Sequence, residues 1–157
     1  MQPPEQHYDT KTAPELFDFA AFKAELLSDP SLLATESDDD QQLFFRVMSI
    51  PCAAMPVGLD PMTGRCKVII IRAFCPTEGT PRAVSNLVVH VFNNGAKSAR
   101  AHALPDVIIL DFPLCGNDTP AATMTSWFPV WRRLCADLFC LWQIRQYLLD
   151  SVTTATA

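Results

Sequence analysis

The sequence predicts an α+β domain in which an N-terminal helix, a four-stranded antiparallel meander and a C-terminal helix follow one another. Three observations carry this. Near the start, Leu16, Phe19, Phe22 or Lys23, and Leu26 recur at helical spacing. In the middle, β-branched and aromatic runs of strand length alternate with Pro and Gly clusters. Near the end, Val130, Leu134, Leu138, Leu141 and Leu148 mark one helical face. With 157 residues, of which 49% are apolar, the chain is long enough for one domain with a substantial core.

Taken in order, residues 1–11 hold Pro3, Pro4 and polar residues without periodicity, which predicts a loose tail. The domain is expected over 12–151. Thr12-Ala13-Pro14-Glu15 fits a capping box, and Ser28-Asp29-Pro30 stops the helix it opens. The polar run from Glu36 to Gln42 has nothing to bury and reads as a solvated linker. Four strands are predicted next: Phe44–Ile50, Cys66–Phe74, Leu87–Phe92 and Val107–Leu110. Pro56, Gly58, Pro61 and Gly64 place a loop between the first two, and Asn93-Asn94-Gly95 suits a tight turn after the third. Core positions are expected at Val68, Ile70, Val89, Val91, Leu134 and Leu138, and only one of Phe44 and Phe45 can face inward. A turn-rich segment, Gly116-Asn117-Asp118-Thr119-Pro120, leads to the long last helix, and 152–157 reads as a second tail.

Charge and composition exclude several function classes. The net charge is −5 and no basic cluster exceeds Arg132-Arg133, so the chain lacks the footprint of a phosphate-backbone binder. No apolar run reaches the roughly 20 residues of a membrane span, and the start has no signal-peptide pattern. A soluble protein of cytoplasm or nucleus is expected, with its cysteines reduced. Cys52, Cys66, Cys75, Cys115, Cys135 and Cys140 form no Cys-x-x-Cys pair, and His7, His90 and His102 fall at no finger-like spacing. The reading is therefore of core thiols with no metal and no cofactor. No phosphate loop, nucleophile elbow or carboxylate pair stands out, and His90, between valines, reads as a strand histidine rather than a general base.

The order of elements, together with Leu104-Pro105-Asp106-Val107-Ile108-Ile109 and Thr125-Ser126-Trp127-Phe128-Pro129, resembles the ubiquitin-conjugating (E2-like) fold and its relatives, the RWD domains and catalytically dead E2 variants. The closest likeness is to the E2-variant domains of a deubiquitinase-complex scaffold subunit, and a weaker one is to a Fanconi ligase subunit. The resemblance implies that Trp127 packs over the crossing segment and that Pro129 opens the last helix. It also implies where an active E2 would hold a His-Pro-Asn motif and a nucleophilic cysteine. Those places hold Asp111-Phe112-Pro113-Leu114 and Thr119, so neither the nucleophile nor the oxyanion donor stands where thioester chemistry needs it.

The expected function is thus a non-catalytic scaffold or interaction domain, by resemblance in ubiquitin signalling, binding a protein partner. Trp131, Phe139, Trp142 and Tyr147, spread round the last helix beyond what one stripe needs, are the candidate partner-binding residues. Two alternatives stand beside it. One is an atypical conjugating thiol enzyme using Cys115, whose neighbours include no group to activate it. The other is a small-ligand domain with a pocket between sheet and helix.

Overall fold

The computed structural model describes residues 16–38, 41–95, 98–115 and 124–155. The capping box at 12–15, the turn-rich segment 116–120 and the tail 1–11 lie outside them. In chain order the elements are β1 (Phe17–Asp18), α1 (Phe19–Leu27), a 3-10 turn (Pro30–Leu32), β2 (Thr35–Glu36), β3 (Leu43–Val47), β4 (Ile50–Val57), β5 (Arg65–Cys66), β6 (Val68–Pro76), α2 (Arg82–Gly95), β7 (Arg100–Leu104), β8 (Val107–Cys115), α3 (Met124–Gln143) and α4 (Arg145–Ala155). The α+β class and the antiparallel pairing agree with expectation. None of the described helices is long and apolar enough to cross a membrane.

The first helix starts later than expected. Residues 17 and 18 pair with Cys66 and Arg65 as a short strand, and Asp18 supplies the cap, accepting from the Ala21 amide at 3.1 Å. Phe19, Phe22, Lys23 and Leu26 are its buried residues. Lys23 is a buried cation, and its ammonium meets Glu36 at 3.1 Å and lies 5.5 Å from the centre of the Phe19 ring.

The main sheet has six strands in the order β2-β3-β4-β6-β8-β7, all antiparallel. It differs from the predicted four-strand run in three places. The segment read as a loop because of Pro56, Gly58, Pro61 and Gly64 holds most of β4 in its first part. The prolines of β4 are tolerated because each stands where the strand has one neighbour only: Pro51 pairs with Arg46 of β3 beyond the reach of β6, and Pro56 pairs with Ile69 of β6 beyond the end of β3. Pro76 and Pro113 obey the same rule at the ends of β6 and β8. Second, Arg100–Leu104 is a strand, and β8 runs five residues past the predicted end at Leu110.

Third, the predicted strand Leu87–Phe92 is the middle of α2. Its buried residues, Val84, Ser85, Val88 and Phe92, recur at helical spacing, and that burial outweighs the β preference of three valines. Asn93-Asn94-Gly95 forms the last turn of this helix, and His90 lies on its solvent side, 3.2 Å from Asn94. From the end of α2 the Asn93 side chain takes both main-chain groups of Ala101 on edge strand β7, accepting from its amide at 2.8 Å and donating to its carbonyl at 2.9 Å.

Helices α1, α2 and α3 send their buried residues into one core on one side of the sheet. There the phase differs from the prediction. Ile69, Ile71, Val88 and Phe92 are interior, while Val68, Ile70, Val89 and Val91 are half-buried. Leu134 and Leu138 are interior as expected, and of the phenylalanine pair Phe45 is buried and Phe44 exposed. Apolar residues stand on both faces of β6, so alternation alone cannot choose the inner one.

The last helix also begins earlier than expected and is divided. Pro129 is the sixth residue of α3, not its first turn. The helix is interrupted at Ile144 and resumes as α4, which keeps 152–155 of the expected tail helical. At the break the Arg145 guanidinium donates to the Trp142 carbonyl at 2.8 Å and lies 4.4 Å from the centre of that ring, closing the end of α3.

Candidate interaction surfaces

Strand pairing fixes what shares the open side of the sheet, the side that none of the described helices covers. Partners in register lie on one face, so Phe44 and Arg46 of β3 continue through Ala53 and Pro51 of β4, which Met55 and Val57 follow along that strand, and through Val68, Ile70, Arg72 and Phe74 of β6. The row goes on through Ile109, Asp111 and Pro113 of β8 to Arg100, His102 and Leu104 of β7. Where an antiparallel sheet with one covered side ordinarily places polar residues, this one places mainly apolar ones. Phe44, Val57 and Leu104 are each more than 40% exposed.

One charged pair interrupts this face. The Arg72 guanidinium meets Asp111 through two hydrogen bonds, Nε to Oδ1 at 2.6 Å and Nη2 to Oδ2 at 2.8 Å. Hydrogen bonding to Asp111 raises the Arg72 pKa above its ordinary value, so the guanidinium stays charged. The pair locks β6 to β8 in register, and Arg100 stands directly across from Asp111 on β7. Ile70, Ser98, Ala99, Arg100, Asp111 and Pro113 line a shallow pocket of about 290 Å³ beside it.

The second surface is a groove of about 660 Å³ where α2 and α3 diverge, walled by Val91 and Gly95 on one side and Val130, Arg133, Asp137 and Ile144 on the other.

The four residues predicted to bind a partner separate into two kinds. Trp131 and Trp142 are interior: Trp131 has no exposed surface and stacks on Phe112 with ring centres 5.9 Å apart. Each is needed to fill the core, so neither is available to a partner. Phe139 and Tyr147 are exposed, at 46% and 74%, and neither lines the groove. The helix face counted as surplus therefore faces inward over part of its width. The open sheet face was missed, although Arg72, two residues from Ile70, marks that phase of β6 as the outer one.

Trp127 is buried and stacks on Phe22 with centres 5.5 Å apart, with Phe128 edge-on at 5.6 Å. Asp111–Leu114, expected to follow the strand, lies within β8 with Phe112 and Leu114 in the core. Cys115 ends that strand, half-buried and across from Val68. His90 is on α2, and His102 pairs with Ile109 near the far end of β8, so strand geometry brings neither beside Cys115. Thr119 lies outside the described residues. The space between sheet and helices, where a ligand pocket was an alternative, is filled by Trp131, Phe112 and their neighbours. Among the described residues no three His, Cys, Asp or Glu side chains gather as a metal ion requires.

Buried thiols account for much of the cysteine content. Cys135 of α3 is pushed well above the ordinary thiol range by its hydrogen bond with Cys52 of β4 and by burial, and burial also raises Cys66 and Cys75. Such groups are packing elements rather than nucleophiles. Compared with known proteins, the chain matches no family model, no curated protein and no solved structure.

Proposed function

We propose that this chain is a non-catalytic interaction domain that receives a protein partner on the open face of its sheet. The apolar lining of that face carries the reading, since a contiguous exposed apolar patch is expensive in water and marks binding surfaces. The Arg72–Asp111 pair and Arg100 supply orientation within it, as polar groups do inside apolar interfaces. Exposed Phe139 and Tyr147 are a secondary contact. A setting in ubiquitin signalling is supported by the likeness of 104–109 and 125–129 to E2 variants. The placing of α2 between β6 and β7 departs from the uninterrupted strand run which that likeness implies.

The test is affinity co-purification with tagged protein, comparing wild type, Ile70→Glu, Ile109→Glu and Cys115→Ser. Both isoleucines point out of the core, so melting temperatures should stay within a few degrees of wild type. The expected result is loss of the partner with either glutamate and retention with Cys115→Ser. A thiol-sensitive ubiquitin adduct on Cys115, formed with activating enzyme and ATP, would instead establish the conjugating-enzyme alternative.

A further inference from the structure

We propose that the partner segment received by the open sheet face is acidic and amphipathic, its carboxylates interleaved with apolar residues. That assignment rests on the face being the docking surface proposed above, and adds the chemistry of what docks there. Among the described strand residues that register puts on this face, three are arginines, Arg46, Arg72 and Arg100, and Asp111 is the one acid. The chain as a whole stands at −5, so its positive face runs against its composition. Such a face selects a partner of opposite sign.

The guanidiniums are spread rather than clustered. They stand on β3, β6 and β7, each two strands from the next in the sheet order, so roughly 19 Å of sheet separates the first from the last. A lone phosphate or carboxylate cannot meet charges so far apart, whereas a segment of about thirteen helical residues spans them. Arg46 and Arg100 are exposed, and each is steadied by a main-chain carbonyl, that of Ser49 at 3.4 Å and that of Asn93 at 3.3 Å. Arg72 holds both oxygens of Asp111, so the acid in the middle of the band is already answered. Beside it, the pocket of about 290 Å³ lined by Ile70, Pro113 and Arg100 has room for an apolar side chain. An anchor seated there brings carboxylates next to it in sequence toward Arg100, the pairing of apolar centre and polar rim that interfaces use. A second copy of this face would set arginine against arginine. Nucleic acid stacks its bases on aromatic rings, whereas the apolar residues here are mainly aliphatic, Val57, Val68, Ile70, Ile109 and Leu104 among them.

Selection from a phage library of random peptides of about sixteen residues, with the full chain as bait, tests the proposal. The expected pool is enriched in Asp and Glu set among Leu, Ile and Phe. In fluorescence anisotropy its best peptides should bind about tenfold or more weakly to Arg46→Glu and to Arg100→Glu, and lose far less to Arg46→Lys and Arg100→Lys. They should lose Ile70→Glu altogether, and should weaken on wild type as salt rises from about 0.05 to about 0.5 M. The salt series needs no substitution, so it decides even where a variant melts early. Acidic peptides indifferent to salt and to both charge reversals overturn the proposal. A neutral or basic pool that fails on Ile70→Glu overturns the acidic assignment and leaves the face as the docking surface. Peptides that bind Ile70→Glu as well as wild type overturn the assignment and the proposed site together. An empty selection overturns the proposal, as does tighter binding of an oligothymidylate strand or of phosphatidylserine vesicles than of any selected peptide.

Discussion

At the scale of single residues, burial separates side chains that look alike in the sequence. Trp127 and Trp131 have no hydrogen-bond acceptor for their indole N–H groups among the described residues, so what they contribute is volume and ring contact. Trp127→Ala should therefore cost about 3–5 kcal/mol, the range for emptying a large aromatic site. Trp127→Phe should cost distinctly less, because it keeps a ring against Phe22 and gives up no hydrogen bond. Denaturant unfolding of both variants measures the gap. The thiols divide in the same way. In a timed alkylation of the native protein, Cys140 should react first and Cys135 and Cys66 last, read by peptide mass, since only a thiolate in reach of solvent reacts. Asp60 supplies a pH prediction. The Met62 amide at 2.9 Å and the Thr63 hydroxyl at 2.8 Å donate to its carboxylate and lower its pKa. The turn over 60–63 is therefore held wherever Asp60 is ionised, and is released as pH falls through this depressed value. The Met62 amide resonance should titrate with a midpoint below the usual aspartate range.

Elements were legible where one periodicity had no rival. The outline of α1 and the long apolar helix at the end could be read because their apolar residues recur at helical spacing, and the inner strands β3 and β6 because they are short β-branched and aromatic runs free of internal proline. Strand β4 could not, since its prolines signal a break until the neighbouring strands are known to stop short of them. Helix α2 could not, because Val88-Val89-His90-Val91 has the composition of a strand and only the burial of Val84, Val88 and Phe92 reveals the helical period. The proposed site suffered likewise: four residues on the last helix were visible as large apolar side chains, but which of them the core consumes depends on contacts with Phe112 and Arg145. The β3–β4 hairpin yields an element-scale prediction. Met48 and Ser49 both hold positive φ, 49° and 68°, the left-handed pair that favours Asn-Gly. Met48→Asn with Ser49→Gly should stabilise the protein by about 1 kcal/mol, seen as a higher denaturant midpoint at unchanged slope.

On the scale of the whole molecule, helices on one side and an apolar sheet face on the other divide the labour. One side makes the domain stable, and the other is the side we propose for a partner. Such a molecule carries a hazard that its sheet must manage at the ends. At one end β2 is only two residues long. At the other, the amide group of Asn93 occupies the amide and carbonyl of Ala101, standing in for the main chain of a further strand. Seen as a polymerisation problem, this side chain is a chain terminator: a second molecule adding to β7 must first displace two hydrogen bonds. Asn93→Val removes the terminator while keeping the helix face apolar enough to fold. Incubated at equal concentration, that variant should form thioflavin-positive fibrils after a shorter lag than wild type, and an equal lag would mean that β7 is guarded by something other than Asn93.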